Sequence, residues 1–321
     1  MIDILHIYDE NDSMAAHYVA MLTTATEGKA TMRSATTAAT FKLLVEEHGP
    51  DIVHVHTQSP FALAPGFRTV VTPNGKPLNT ANAYVVIARS QMERDNLSSQ
   101  CERIETVLNP IITRTTTIEE CACQIMAIYQ RVMNSSVWML LEASTRRSLG
   151  ILLNAAICGD ARWIEPESAK LPQAVSPSQF QLLYTYAERE GVLSHVQEGI
   201  AILGMDAPDY TPTPGYLPHN FQKPQPLHSS DIASLLNDVK SNGLSMFRLV
   251  ETAKALRDDR LDEVQLLAQL GDQRLLSTFQ GILQLLTELD MITEGFMPST
   301  PEANSEYQRL KTLLTNRQNV V

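Results

Sequence analysis

Along the first third of the chain, short apolar runs rich in β-branched residues alternate with longer stretches whose apolar positions recur at helical spacing. That alternation predicts an α/β fold. Ile2 to Tyr8 carries Ile4, Leu5 and Ile7 with no turn residue and runs into Asp9-Glu10-Asn11-Asp12-Ser13, which can cap a helix over Met14–Thr26. A short strand around Ala30–Ser34 comes next. Thr37–Glu47 then carries Ala38, Phe41, Leu44 and Val45 at helical spacing and stops at Gly49-Pro50. Asp51-Ile52-Val53-His54-Val55-His56 reads as a central strand, because a near-continuous β-branched run is what a sheet covered on both faces requires. Further strands are predicted over Arg68–Thr72, Tyr84–Ala88 and Ile104–Leu108, with Ser90 capping a helix through Leu97 and Glu93 completing a capping box. The expectation is a doubly wound parallel sheet of about five to seven strands, with its ligand crevice at their carboxyl ends.

After Thr117 the β-branched runs end and helical periodicity takes over. Helices are predicted over Ile118–Met133, Trp138–Ile157, Ser178–Glu190, Leu193–Leu203, Asp231–Lys240, Ser245–Arg257, Asp262–Leu270, Arg274–Leu289 and Pro301–Asn316. Pro208, Pro212, Pro214, Pro218, Pro224 and Pro226 crowd the stretch between Asp206 and His228, a density that no helix or central strand tolerates. The organisation expected is therefore an α/β domain with a return helix over 1–134, a helical region over 135–205, a Pro-rich linker over 206–229 and a second helical or winged-helix-like domain over 230–321.

Charge narrows the partners. The 321 residues hold 25 Lys and Arg against 36 Asp and Glu, a formal net charge of -11, which disfavours nucleic acid and anionic lipid as partners. The longest apolar run, around Tyr84–Ala88, is far short of the roughly 20 residues of a membrane helix, and the N-terminus does not read as a signal peptide. A cytoplasmic protein is expected, with its four cysteines, Cys101, Cys121, Cys123 and Cys158, reduced and inert.

Candidate chemistry gathers at the predicted strand ends. His54 and His56 alternate with Val53 and Val55, so both face one side of the sheet about 7 Å apart along the strand. The pair offers two metal ligands, but no Asp, Glu or Cys cluster in the sequence supplies the third and fourth that zinc needs, so no metal is expected. His56, at the strand's end, is the candidate for a role in the crevice; His54, deeper, reads as structural. Asn74-Gly75 and Asn109-Pro110 form turns at strand ends whose amides can meet a sugar hydroxyl or phosphate, and Arg89-Ser90 makes an anion site at a helix start. Arg146-Arg147 reads as a solvated face. Near the C-terminus, Val264–Leu270, Gly271, Leu275–Leu289 and then Met291-Ile292-Thr293 fit a winged-helix pattern. From Leu244 to Arg317, however, 8 Lys and Arg stand against 11 Asp and Glu, so a protein-binding or dimerising role fits better than DNA.

Four segments taken in order resemble the N-terminal domain of retaining GT-B-fold glycosyltransferases of the family 4 type. They are Asp51–His56, Thr69-Val70-Val71-Thr72-Pro73-Asn74-Gly75, Tyr84–Glu93 and Arg103–Pro110. The resemblance implies a Rossmann-like domain that binds the acceptor, with His56 as a catalytic-cleft residue and Asn74, Gly75, Arg89, Ser90 and Asn109 at the substrate. It also implies a second Rossmann-like domain for the nucleotide-sugar. There the family uses two glutamates eight positions apart after a Gly-Phe, a spacing that Glu294 and Glu302 reproduce around Gly295-Phe296. Two departures stand out: Glu10-Asn11-Asp12-Ser13-Met14 replaces the usual glycine-rich loop after the first strand, and no strands for a second sheet are predicted after Thr117. The expectation is a degenerate, non-catalytic binding or regulatory protein without cofactor, engaging a protein partner or a second copy through its C-terminal helices. The alternatives are an active enzyme moving a sugar from a nucleotide-sugar donor and a winged-helix regulator.

Overall fold

A computed structural model describes residues 1–56, 67–73, 83–88, 90–100, 105–108, 117–133, 135–211, 231–258, 260–292 and 297–315. The chain divides into two compact units, one built on Met1–Leu140 and the other on Leu141–Thr211 together with the helices beyond 230. Residues 141–205 and the helices after the Pro-rich stretch, separate regions by sequence pattern, therefore lie in one unit.

The first unit is a six-stranded parallel sheet. Its strands are β1 (Ile2–Ile7), β2 (Ala30–Ala35), β3 (Ile52–Val55), β4 (Thr69–Val71), β5 (Ala83–Ala88) and β6 (Glu105–Leu108), in the order β2-β1-β3-β4-β5-β6. The helices of this unit are α1 (Ser13–Ala25), α2 (Ala38–Glu47), α3 (Gln91–Gln100) and α4 (Ile118–Met133). Every residue of β3 and β5 is buried, as expected for strands covered on both sides. One face carries Leu5, Ile7, Val53 and Val55 against Phe41, Leu44 and Val45 of α2. The other receives α1 and α4, which pack on each other; α4 turns Cys121, Ala122, Ile125, Ile128, Tyr129 and Val132 inward at helical spacing.

At the amino ends of the strands Arg33 fixes the register. Its Nε and Nη2 donate to the two carboxylate oxygens of Asp3 at 3.0 and 2.8 Å, while Nη1 and Nη2 also reach the carbonyls of Leu44 and His48. The Asp51 carboxylate accepts from the Asp3 amide at 2.8 Å. Strands β1, β2 and β3 and the end of α2 are thus tied together at the amino ends of the strands.

The second unit comprises α5 (Ala143–Cys158), α6 (Pro177–Arg189), α7 (Leu193–Ile202), α8 (Ile232–Asn242), α9 (Met246–Ala255), α10 (Glu263–Asp272), α11 (Leu276–Glu288) and α12 (Ser305–Thr315), with 3-10 turns over Ala161–Trp163, Ser168–Lys170 and Pro172–Ala174. The single helix expected over 138–157 is broken. Val137–Leu140 forms a 3-10 turn, and Glu142 is extended with its amide donating to the Gln179 Oε1 at 3.0 Å. The last helix starts later than the pattern suggested, because Asn304 caps it by accepting from the Tyr307 amide at 2.9 Å. Arg147 is exposed, as expected, and pairs there with Asp290 at 2.8 Å. Glycines set the closest helix crossings: a Cβ on Gly150 would lie 1.5 Å from the Leu289 carbonyl oxygen, and one on Gly199 2.0 Å from that of Leu152.

Candidate functional site: a buried histidine cluster

In a doubly wound sheet the ligand crevice opens where the chain's winding reverses. Here that point lies between β1 and β3. From β1 the chain goes through α1 to β2 on one side; from β2 it goes through α2, on the opposite face, to β3 on the other side of β1. The two strands at the reversal carry three histidines near their carboxyl ends. His6 pairs in register with His54, and His56 comes two residues later, so the pleat turns all three rings to the face covered by α1 and α4. All three are buried, His6 and His54 completely.

The rings form one group. The His54 and His56 centroids are 4.0 Å apart, and His6 lies 5.2 Å from each. One nitrogen from each ring can be chosen so that all three lie within 4.8 Å of one another. His6 Nδ1 and His56 Nε2 share a hydrogen bond at 2.9 Å. His54 is held at both nitrogens, by the Tyr129 hydroxyl at 2.7 Å and by the Thr72 hydroxyl at 2.8 Å. A neutral imidazole has one donor and one acceptor, and a hydroxyl serves either, so both tautomers of His54 are satisfied. His6 is not satisfied: its Nε2 is buried and makes no hydrogen bond among the described residues. Tyr18 of α1 closes the group, edge-on to His56 at 5.8 Å.

Burial pushes His6 and His54 well below the ordinary histidine range; the neighbouring His56 lowers both further, and His6 adds to the effect on His54. The Tyr18 and Tyr129 hydroxyls are pushed up by burial and then by their neighbours, Cys121 and Tyr18 respectively. At neutral pH His6 and His54 are therefore neutral imidazoles, and Tyr18 and Tyr129 protonated phenols. Such a group can donate lone pairs or pass protons along hydrogen bonds; it offers no fixed charge to an anion.

The loop after β1 is closed by its own residues. Asp12 accepts from the Ala15 amide at 2.9 Å, using an N–H group that a helix N-terminus otherwise offers to a phosphate. The Asp12 amide bonds back to the Asp9 carbonyl at 2.8 Å.

Of the residues singled out by sequence, His56 lies in this cluster and is buried against His6 rather than open to a cleft. Ser90 is exposed and caps α3, accepting from the Glu93 amide at 3.2 Å. Glu302 is exposed in the segment before α12, accepting from Gln280 Nε2 at 2.9 Å. Asn74, Gly75, Arg89, Asn109 and Glu294 lie outside the described residues. Cys121 is buried and Cys123 exposed. His6 was missed by the sequence reasoning. A signal existed: it stands one residue before the end of the first strand, where a parallel partner ending in His-Val-His brings it alongside.

No family model, curated protein or solved structure matches the chain.

Proposed function

We propose that this chain is a glycosyltransferase-like protein that does not transfer sugar, its α/β unit a degenerate acceptor-side domain and its helical unit a protein-binding or regulatory element. The observation that carries the reading is the secondary structure beyond the first sheet. From Thr117 onward the described residues form helices, 3-10 turns and loops and no strand, so they supply no second parallel sheet to hold a nucleotide-sugar. Two features of the first unit support it. Asp12 occupies an amide at the start of α1, and Asp9, Glu10 and Asp12 put carboxylates where a diphosphate would approach. His56, the residue the resemblance would place in catalysis, is engaged with His6 in a buried group.

The C-terminal helices favour a helix-turn-helix-like element for the partner-binding role, although Met291 and Ile292, expected to begin a strand, lie in none. A three-residue turn, Gln273-Arg274-Leu275, joins α10 to α11, with Arg274 at φ 55°, as in a helix-turn-helix. The second helix of the pair buries Phe279, Ile282, Leu283, Leu285 and Leu286, which makes it a core helix rather than one presented to a DNA groove.

The test is a panel of UDP- and GDP-sugars, read by thermal shift and by release of free nucleotide. The expected result is neither a donor-specific stabilisation nor turnover. A donor that both stabilises the protein and is hydrolysed or transferred overturns the reading in favour of an active enzyme. Light scattering across a concentration series reports whether a second copy is the partner.

A further inference from the structure

A buried imidazole with an unsatisfied nitrogen costs about 1–3 kcal/mol, because nothing replaces the water it loses. His6 is in that position, with one nitrogen on His56 and none on Nε2. Three imidazoles converging with nitrogens within 4.8 Å of one another also make a donor set. Three nitrogens tetrahedrally bound to one zinc ion at the usual bond length stand roughly 3.3 Å apart, a contraction that side-chain rotation can supply.

We propose that His6, His54 and His56 bind one divalent transition-metal ion of the zinc type at the switch point of the sheet. Imidazole donors suit Zn²⁺, Co²⁺, Ni²⁺ and Cu²⁺ and not Mg²⁺ or Ca²⁺, which take oxygen. His54 exchanges the Thr72 hydroxyl on Nε2 for the ion and keeps its Nδ1 proton on the Tyr129 oxygen, the outer hydrogen bond that orients a ligating histidine. The trio is three ligands, so the fourth position falls to water or hydroxide, and hydroxide removes one of the ion's two charges from the buried site. The loop after β1, with Asp9, Glu10 and Asp12, leaves the same end of the sheet and draws cations rather than anions toward it.

The experiment uses the untagged full chain, stripped with chelator and dialysed, then titrated with Co²⁺ and followed by its visible absorption. A parallel sample loaded with Zn²⁺ is examined by X-ray absorption. The expected result is one equivalent bound with a four-coordinate cobalt spectrum and three imidazoles around zinc. His6→Gln and His56→Gln weaken binding by more than about a hundredfold, whereas the exposed His17→Gln and His48→Gln leave it unchanged. No stoichiometric binding overturns the proposal, as does binding of equal strength in His6→Gln. Should the buried variants fail to fold, the imidazole count around zinc in the wild-type chain decides alone, and fewer than three overturns the site.

Discussion

Replacing Tyr129 by Phe tests whether the histidine group is held by the hydrogen bonds described. Tyr129 is fully buried, and its hydroxyl meets His54 Nδ1 at 2.7 Å. The substitution removes one oxygen and leaves the ring in place, so the cavity term is small and the cost comes from stranding a buried nitrogen. That cost is about 1–3 kcal/mol, larger than the net worth of an average hydrogen bond because water does not reach His54. For a unit of this size it corresponds to a fall in melting temperature of about 3–10 °C. Tyr18→Phe is the control: Tyr18 packs on the same group, but its hydroxyl has no hydrogen bond among the described residues, so the change is within about 0.5 kcal/mol. The two units need not unfold together, so the probe must be local. Trp138 is buried in the first unit and Trp163 lies in the second, and a Trp163→Phe background leaves Trp138 to report on the histidine-bearing unit. Chelator-treated protein is unfolded in urea with Trp138 fluorescence as the signal. Equal stability of Tyr129→Phe and the background, or an equal loss in Tyr18→Phe, refutes the reasoning.

Acid should unfold the first unit of chelator-treated protein early. His6 and His54 resist protonation when folded, so the unfolded chain binds more protons below about pH 6.5. Their contribution is complete above that pH and falls as pH drops through it, by about 1.4 kcal/mol for each histidine at pH 5.5. Urea midpoints that stay flat from pH 8 to 5.5 would contradict this, and His6→Leu should remove about half of the dependence. Gly150→Ala should destabilise the second unit by about 3 kcal/mol or more, since the new Cβ meets a backbone oxygen at 1.5 Å that no rotamer change can relieve; calorimetry of the second transition checks it. Asp12→Ala removes the cap of α1 and should cost about 1 kcal/mol in a urea titration, while introducing a stabilisation by inorganic phosphate that the wild-type chain lacks.

The parallel sheet was legible because its signals are local. Ile52-Val53-His54-Val55 is apolar on both faces, Asp12, Thr37 and Ser90 mark helix starts that the structure bears out, and Ile118–Met133 is helical over the range its periodicity predicted. The features that were not legible depend on contacts distant in sequence. The break before Ala143 rests on Gln179 reaching the Glu142 amide, 37 residues away, and the exposed Arg147 meets Asp290, 143 residues away. The histidine group is the same kind of case. His54 and His56 announce themselves as neighbours on one strand, but the third ring comes from a strand 48 residues earlier that parallel pairing places alongside. The third ring becomes visible only through strand pairing, which sets one histidine in register without any cluster of ligand residues along the chain.

The two features at the reversal of the sheet act on opposite kinds of ligand, and that decides what the site can hold. In nucleotide-binding sheets of this topology the free amides at the start of the first helix attract phosphate, and glycines let the backbone approach it. Here Asp12 takes one of those amides, the loop contributes the carboxylates of Asp9, Glu10 and Asp12, and no glycine stands between β1 and α1. Each change lowers the affinity for an anion. Behind the loop, three buried imidazoles converge, and an imidazole lone pair is satisfied by a hydrogen-bond donor or by a cation. His6 Nε2 finds no hydrogen-bond partner among the described residues. A sheet that places carboxylates and a capped helix start beside converging nitrogen ligands suits a small cation better than a diphosphate. The proposed absence of sugar transfer and the proposed metal site are therefore separable, and the nucleotide-sugar panel and the cobalt titration can fail independently.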